Sequence, residues 1–132
     1  MVKKEILVVT GTRADYGLLR PVISELLQSR KLTARVLATG MHFLKSRGYT
    51  LNEVLRDKFP VAAKVPVRER DDMLQCLIKE MAGIRAYCLR RQPSGIFVLG
   101  DRDEMLAAAV VGAHLNIPVL HLRGGELTGF VV

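Results

Sequence analysis

Short apolar runs alternate with longer stretches of helical periodicity along the whole chain. Residues 5–10 (EILVVT), 34–39 (ARVLAT), 96–99 (IFVL) and 119–122 (VLHL) have the length and turn-residue flanks of buried strands. Residues 59–67 form a less regular run that Pro60 and Pro66 interrupt, which predicts an edge or near-edge strand. Between these runs, 18–27 shows three- and four-residue spacing, with Pro21 near a first turn. Two short helices are expected at 43–48 and 51–57, the second with Thr50 as cap. The longest pattern, 69–92, repeats Met73, Leu74, Leu77, Ile78, Met81, Ile84 and Leu89, with Asp71 or Asp72 to start it. Its methionines read as core filling. An Ala- and Leu-rich helix over 102–114 follows, stopped by Asn116-Ile117-Pro118. The order β-α-β-α-β-α-β-α-β, with no linker or repeat, predicts an α/β Rossmann-like three-layer domain over residues 1–132. Its sheet is parallel and covered on both faces.

That architecture gives the strand ends their interest, because open parallel sheets bind ligands at the carboxyl ends of their strands. Gly11–Gly17 follows the first strand as a glycine-containing turn into a helix. Free N–H groups and the helix dipole there favour an anion, and Arg13 can hold a phosphate bidentately or remain a solvated surface arginine. The turn is neither GxGxxG nor a P-loop, since no Gly-Lys-Ser/Thr follows. Gly40-Met41-His42 closes the second strand and offers His42 for phosphate contact or acid–base work. His114 and His121 lie on a helix and inside a strand, where packed roles are commoner. Gly100-Asp101-Arg102 ends the fourth strand. Asp101 either caps the next helix, with Glu104 completing a capping box, or faces the cleft beside Arg102. Arg123-Gly124-Gly125-Glu126 ends the fifth, and Asp101, Arg102, Arg123 and Glu126 become candidates for one cleft.

Composition narrows the classes. With 20 basic against 13 acidic residues the net charge is +7, which suits an anionic partner. The positive residues are scattered and aromatics are 5%, a poor basis for base stacking, so nucleic acid is not the expected partner. No run approaches a membrane span and no signal peptide is read, so a cytoplasmic location is expected. Cys76 and Cys88, twelve positions apart in one helical pattern, are too distant to bridge within a straight helix, and neither has zinc-ligand neighbours.

Four segments together, GTRADYGLL at 11–19, Gly40-Met41-His42, LGDRDE at 99–104, and Asn116-Ile117-Pro118 through His121 to Gly124-Gly125-Glu126, resemble the hydrolysing UDP-N-acetylglucosamine 2-epimerases of the sialic-acid pathway. The resemblance covers nearly the whole chain. It implies the N-terminal half of a glycosyltransferase-B-like pair of Rossmann domains, with the sugar nucleotide in the cleft between them. It implies release of UDP with inversion at C2, by elimination to a glycal and addition of water, without metal or nicotinamide. By the same resemblance Arg13 lies near the UDP phosphates and Gly17 offers backbone contact. Asp101 is a catalytic carboxylate and Arg102 contacts the nucleotide. From their places at strand ends, and not from the resemblance, Glu126 is taken as a second catalytic candidate and His42 and Arg123 as substrate-binding candidates.

Two departures stand out. Many relatives carry Glu just before the paired glycines, where this chain has Arg123, a poor general base because it stays protonated. The family also continues into a C-terminal domain. The chain is therefore read as a truncated domain, inactive alone, completed by a C-terminal partner or self-associating as a homodimer. The competing reading is a non-catalytic nucleotide- or phosphate-binding module of the same general fold.

Overall fold

The computed structural model describes residues 2–125. Five strands, β1 (Lys4–Thr10), β2 (Leu32–Ala38), β3 (Val61–Lys64), β4 (Gly95–Leu99) and β5 (Val119–Leu122), form one sheet in the order β3-β2-β1-β4-β5. Each neighbouring pair of these strands is parallel. Helices α1 (Arg13–Gln28), α2 (Leu51–Arg56), α3 (Met73–Arg91) and α4 (Asp103–Leu115) connect them, with two short 3-10 turns, Gly40–Phe43 and Lys45–Arg47, after β2. The α/β, Rossmann-like expectation holds.

β1 is central, and its alternating side chains feed two cores. Leu7 and Val9 join Ile84, Tyr87, Met105 and Val111 beneath α3 and α4. Ile6 and Val8 join Tyr16, Leu19, Ile23 and Val54 beneath α1 and α2. Burying a side chain of this size contributes about 1.5–3 kcal/mol, so a strand apolar on both faces is drawn to the middle of the sheet. The chain winds outward through β2 and β3, then crosses over α3 to β4 on the other side of β1. The strand order therefore reverses between β1 and β4, and such a reversal leaves a crevice at the carboxyl ends.

The edges differ from the sequence reading. β3 is an edge strand as expected, with a register shift between Val36 and Leu37 of its neighbour. β5, read as buried, exposes Leu120 and Leu122, because among the described residues no strand or helix covers its outer side. Met73, Leu74, Ile78 and Leu89 of α3 are likewise exposed rather than core-facing. α3 starts at Met73, where Asp72 and Gln75 form a reciprocal capping box. The two cysteines are free, Cys88 buried and Cys76 partly so. No helix among the described residues is long and apolar enough to cross a membrane.

Candidate functional site

The turn after β1 is a helix start rather than an open loop. α1 begins at Arg13, five residues earlier than its apolar periodicity indicates. Thr12 is its N-cap, and Asp15 completes a capping box. The early start puts Pro21 well inside the helix, where it has no N–H to give the Gly17 carbonyl. Asp15 is buried and accepts from Thr10 Oγ1 (2.5 Å), Gly11 N (3.1 Å), Thr12 N (2.9 Å) and Thr12 Oγ1 (2.9 Å). Burial pushes its carboxyl upward, and those four hydrogen bonds oppose the shift. The backbone N–H groups expected to await an anion at Gly11 and Thr12 are thus already taken by an internal one. Arg13 N and Ala14 N, in the first turn of α1, have no helical carbonyl behind them.

His42, expected at the ligand, is fully buried. Its Nε2 lies 2.8 Å from Thr10 Oγ1 and its Nδ1 2.8 Å from Thr50 Oγ1. Thr10 gives its single hydrogen to Asp15, so His42 donates from Nε2 and accepts at Nδ1 from Thr50. Thr50 is thereby spent on His42 and makes no side-chain cap on α2. The Tyr16 ring meets the imidazole edge-on, 6.1 Å between centroids. In turn Tyr16 donates to Asp57 (2.5 Å), which also takes Arg20 Nε at 2.7 Å. The histidine is a strut joining β1, the β2 turn and α2; both ring nitrogens are engaged, and none of its surface reaches a ligand.

Burial lowers the His42 pKa to about 4, below its unfolded value of 6.5. A depressed histidine keeps its stability above 6.5 and loses it as pH falls toward 4, because the unfolded chain takes up the proton first. The loss is about 3 kcal/mol. In urea unfolding between pH 6.5 and 4, His42→Gln is expected to flatten the slope of stability against pH by nearly one proton. An unchanged slope would place that proton elsewhere.

The other candidates sit on the rim. Arg13 is 75% exposed, with Nε 3.4 Å from Glu53 Oε2, a surface pair worth about 0–1 kcal/mol that a phosphate can displace. Gly17 is exposed on α1, and its N–H falls inside the helical ladder, so no backbone donor remains there for a ligand. Asp101 and Arg102 are exposed just after β4, where Gly100 turns at φ +91°. Asp101 does not cap α4: Arg102 is the N-cap, without a side-chain bond. Glu104, read as the other half of that capping box, turns inward and is 1% exposed. Arg123 is exposed at the end of β5 with φ +59°. Glu126 lies outside the described residues.

Glu104 shows that the β1 and β4 loops share one rim. A Cβ built on Gly11 would come within 2.5 Å of its Cγ. A Cβ on Gly40 would overlap its Oε1. Arg102 Nε stands 3.3 Å from its Oε2. The carboxylate is thus packed between the β1, β2 and β4 ends, with Arg13 two residues from one side and Asp101 beside the other. Burial raises the Glu104 pKa against the pull of Arg102. Next to it Glu80 of α3, also 1% exposed, is pushed up to about 8 by burial and by the negative charge of Glu104 and Asp103. Sequence reasoning assigned neither residue to the site. Glu80 had a signal: it falls in phase with Leu77, Ile84 and Cys88 on the inward stripe of α3. Among the described residues no three His, Cys, Asp or Glu side chains are grouped to hold a metal.

A family model described as UDP-N-acetylglucosamine 2-epimerase matches residues 24–131. The UDP-N,N'-diacetylbacillosamine 2-epimerase (hydrolyzing) of Legionella pneumophila is 42% identical over 97% of this chain, which covers 35% of that protein. The UDP-N-acetylglucosamine 2-epimerase of Neisseria meningitidis is 33% identical over 97% of the chain and 34% of its own length. A crystal structure of UDP-GlcNAc 2-epimerase from Neisseria meningitidis bound to UDP-GlcNAc superposes with a TM-score of 0.80 at 23% identity, over 94% of this chain and 33% of that one. At that identity the superposition speaks for the fold. The chain spans about a third of the length of these relatives.

Proposed function

Since the chain belongs to the UDP-N-acetylglucosamine 2-epimerase family, we propose that it forms one wall of the cleft in a hydrolysing 2-epimerase of UDP-linked N-acetylated amino sugars. The observation that carries the reading is the common rim, where Glu104 packs the Arg13 turn against the Asp101–Arg102 turn at the strand-order reversal. The α1 terminus, Arg13 and Arg102 supply positive potential for a diphosphate. Breaking the bond from C1 to the UDP oxygen leaves negative charge on that diphosphate, which those groups stabilise. Asp101 is the carboxylate assigned to take the C2 proton, Glu126 is the second assigned carboxylate, and Arg123 stands at the end of β5. Water then adds to the glycal and gives the sugar inverted at C2. A single wall binds without turning over, so the 132 residues alone are expected to be inactive.

A second sugar is favoured by one observation: identity is higher to the diacetylbacillosamine enzyme, 42%, than to the N-acetylglucosamine enzyme, 33%. On that reading the substrate carries two acylamino groups.

Calorimetric titration with UDP tests the shared part. Arg13→Ala removes a charge-assisted contact worth about 1.5–3 kcal/mol, and should weaken UDP about 10- to 150-fold while leaving the melting temperature in place. Wild-type chain that ignores millimolar UDP, or an Arg13→Ala variant that binds as well as wild type, would sink the assignment.

A further inference from the structure

Two charged residues stand where the α3 side of the sheet is otherwise apolar. Glu5 alternates with Leu7 and Val9 along β1, and Arg35 with Leu37 along β2, with Leu7 and Arg35 paired in register. β2 is an interior strand. A charge on the covered face of such a strand is uncommon and calls for a partner. Arg35 is only loosely held. Its Nε is shielded from solvent without a hydrogen bond, and the nearest carboxylate oxygen, Glu5 Oε1, is 3.6 Å away.

The last turns of α3 bring more positive charge to the same place. Arg91 Nη2 stands 3.3 Å from Glu5 Oε1, and Tyr87 donates to Glu5 Oε2 at 2.9 Å. Arg90 lies over the Tyr87 ring, 5.7 Å from its centroid. Arg35, Arg90 and Arg91, with Tyr87 and Ala62, line a mostly polar cavity of about 340 Å³. Glu5 begins β1, whereas the rim lies beyond Thr10, five residues or about 17 Å along the strand. The cavity is therefore separate from the rim.

Charge and shape select its ligand. Arg90 and Arg91 at a helix C-terminus would complement the dipole in any protein, and one arginine would suffice to balance Glu5. Three guanidiniums face one carboxylate here, and among the described residues no second carboxylate pairs with them. Arg35 and Arg91 each give Glu5 a single nitrogen, and their side chains remain 42% and 49% exposed, so the rest of each fork is available to an oxoanion. Two uncompensated positive charges match a dianion, while a carboxylate would neutralise one. A metal ion is repelled. A nucleobase finds no open ring, since Arg90 covers that of Tyr87 and the phenol is spent on Glu5.

We propose that this cavity binds a phosphate dianion, free or borne by a small ester, on the forks of Arg35 and Arg91, with Arg90 adding charge and Glu5 holding the forks from behind. The site lies at the opposite edge of the sheet from the rim and does not depend on the reaction proposed there. Its ligand would bridge β2 to the end of α3 and, by binding only the folded chain, stabilise it.

The test is a titration of the 15N-labelled 132-residue chain with glycerol 3-phosphate at pH 7.5 and constant ionic strength. The amide resonances of Arg35, Ala62, Arg90 and Arg91 are expected to shift saturably at millimolar ligand, and equally in Arg13→Ala, which alters the rim. Arg35→Gln should weaken binding about tenfold or more. Arg91→Gln, at an exposed position, should do the same and serves if Arg35→Gln does not fold. Arg85→Gln removes the same charge from α3 beside a different groove, and should change affinity less than about twofold. Acetate should bind about tenfold more weakly than the phosphate ester. Inorganic phosphate run alongside tells the two sources apart: the tighter of the two names the form the site takes, and either supports a dianion site. Absence of saturable shifts at these four amides, equal weakening by Arg85→Gln, or acetate binding as tightly as the ester would overturn the proposal.

Discussion

Glu80→Gln is expected to stabilise the protein at pH 8 and to leave it unchanged at pH 4.5. Glu80 is 1% exposed, and its pKa is pushed up from 4.5 to about 8, first by burial and then by the charges of Glu104 and Asp103. A carboxyl whose folded pKa lies above its unfolded value keeps its proton while the unfolded chain loses one. The folded state therefore binds more protons across that window, and stability falls as pH rises from 4.5 to 8. Ionisation of the unfolded chain over that interval is worth up to about 5 kcal/mol. This is an upper bound, since water entering the cavity of about 280 Å³ that Glu80 lines with Met41, Leu44 and Glu104 relieves part of the burial. Glutamine has nearly the same shape and no charge, so the variant removes this dependence. Urea unfolding of both proteins at half-unit intervals of pH measures the difference directly. The stability gap should open steadily above pH 4.5 and level off near 8. A gap independent of pH would show that Glu80 ionises as easily folded as unfolded.

Gly40→Ala is expected to be among the most damaging small substitutions on the rim. Gly40 has φ +59°, a conformation that costs an L-residue about 1–2 kcal/mol. The new methyl would overlap Glu104 Oε1 and come within 2.9 Å of the Gly11 carbonyl oxygen. The carboxylate cannot simply swing away, because Gly11 closes the other side and Arg102 holds it. Overpacking at such a site costs a further about 1–3 kcal/mol. The sum is about 2–5 kcal/mol, a large part of an ordinary domain's stability of about 5–15 kcal/mol. For a chain of this size it should lower the melting temperature by roughly 10–20 °C. Gly17→Ala is the control: that position is exposed on α1 with open space around the added methyl. It should change stability by less than about 1 kcal/mol. Thermal unfolding of the two variants side by side decides the matter, and equal melting temperatures would mean the cradle around Glu104 yields freely.

Much of the fold was legible in the chain. The apolar runs at 5–10, 34–39, 96–99 and 119–122 became strands within two residues of their expected limits. Asp72 was one of two caps expected for α3 and is the one used. Asn116 terminates α4 in a left-handed conformation, where the breaker at 116–118 was read. These features are local. They depend on periodicity, capping chemistry and turn residues within a few positions of one another, which is what a sequence displays. The family motifs were also legible, and with them the rim to which Arg13, Asp101 and Arg102 belong.

The inward-facing chemistry was less so. His42, Asp15 and Glu104 are polar residues at loops and helix starts, where solvent or ligand is the usual neighbour, yet all three are buried. Burial there comes from partners far along the chain. His42 is held by Thr10 across thirty-two positions, and Glu104 packs against Gly11 and Gly40. β5 errs in the opposite direction: its letters are those of an inner strand, and its place at the sheet edge leaves them exposed.

By itself the sequence determined the order of elements, the parallel sheet, the family and the rim that carries the candidate residues. Only the tertiary structure decided which polar groups on that rim face outward and which are sealed behind it. Whether a carboxyl or an imidazole meets water depends on what distant segments press against it, and that is a property of the packed chain, absent from any short stretch of it.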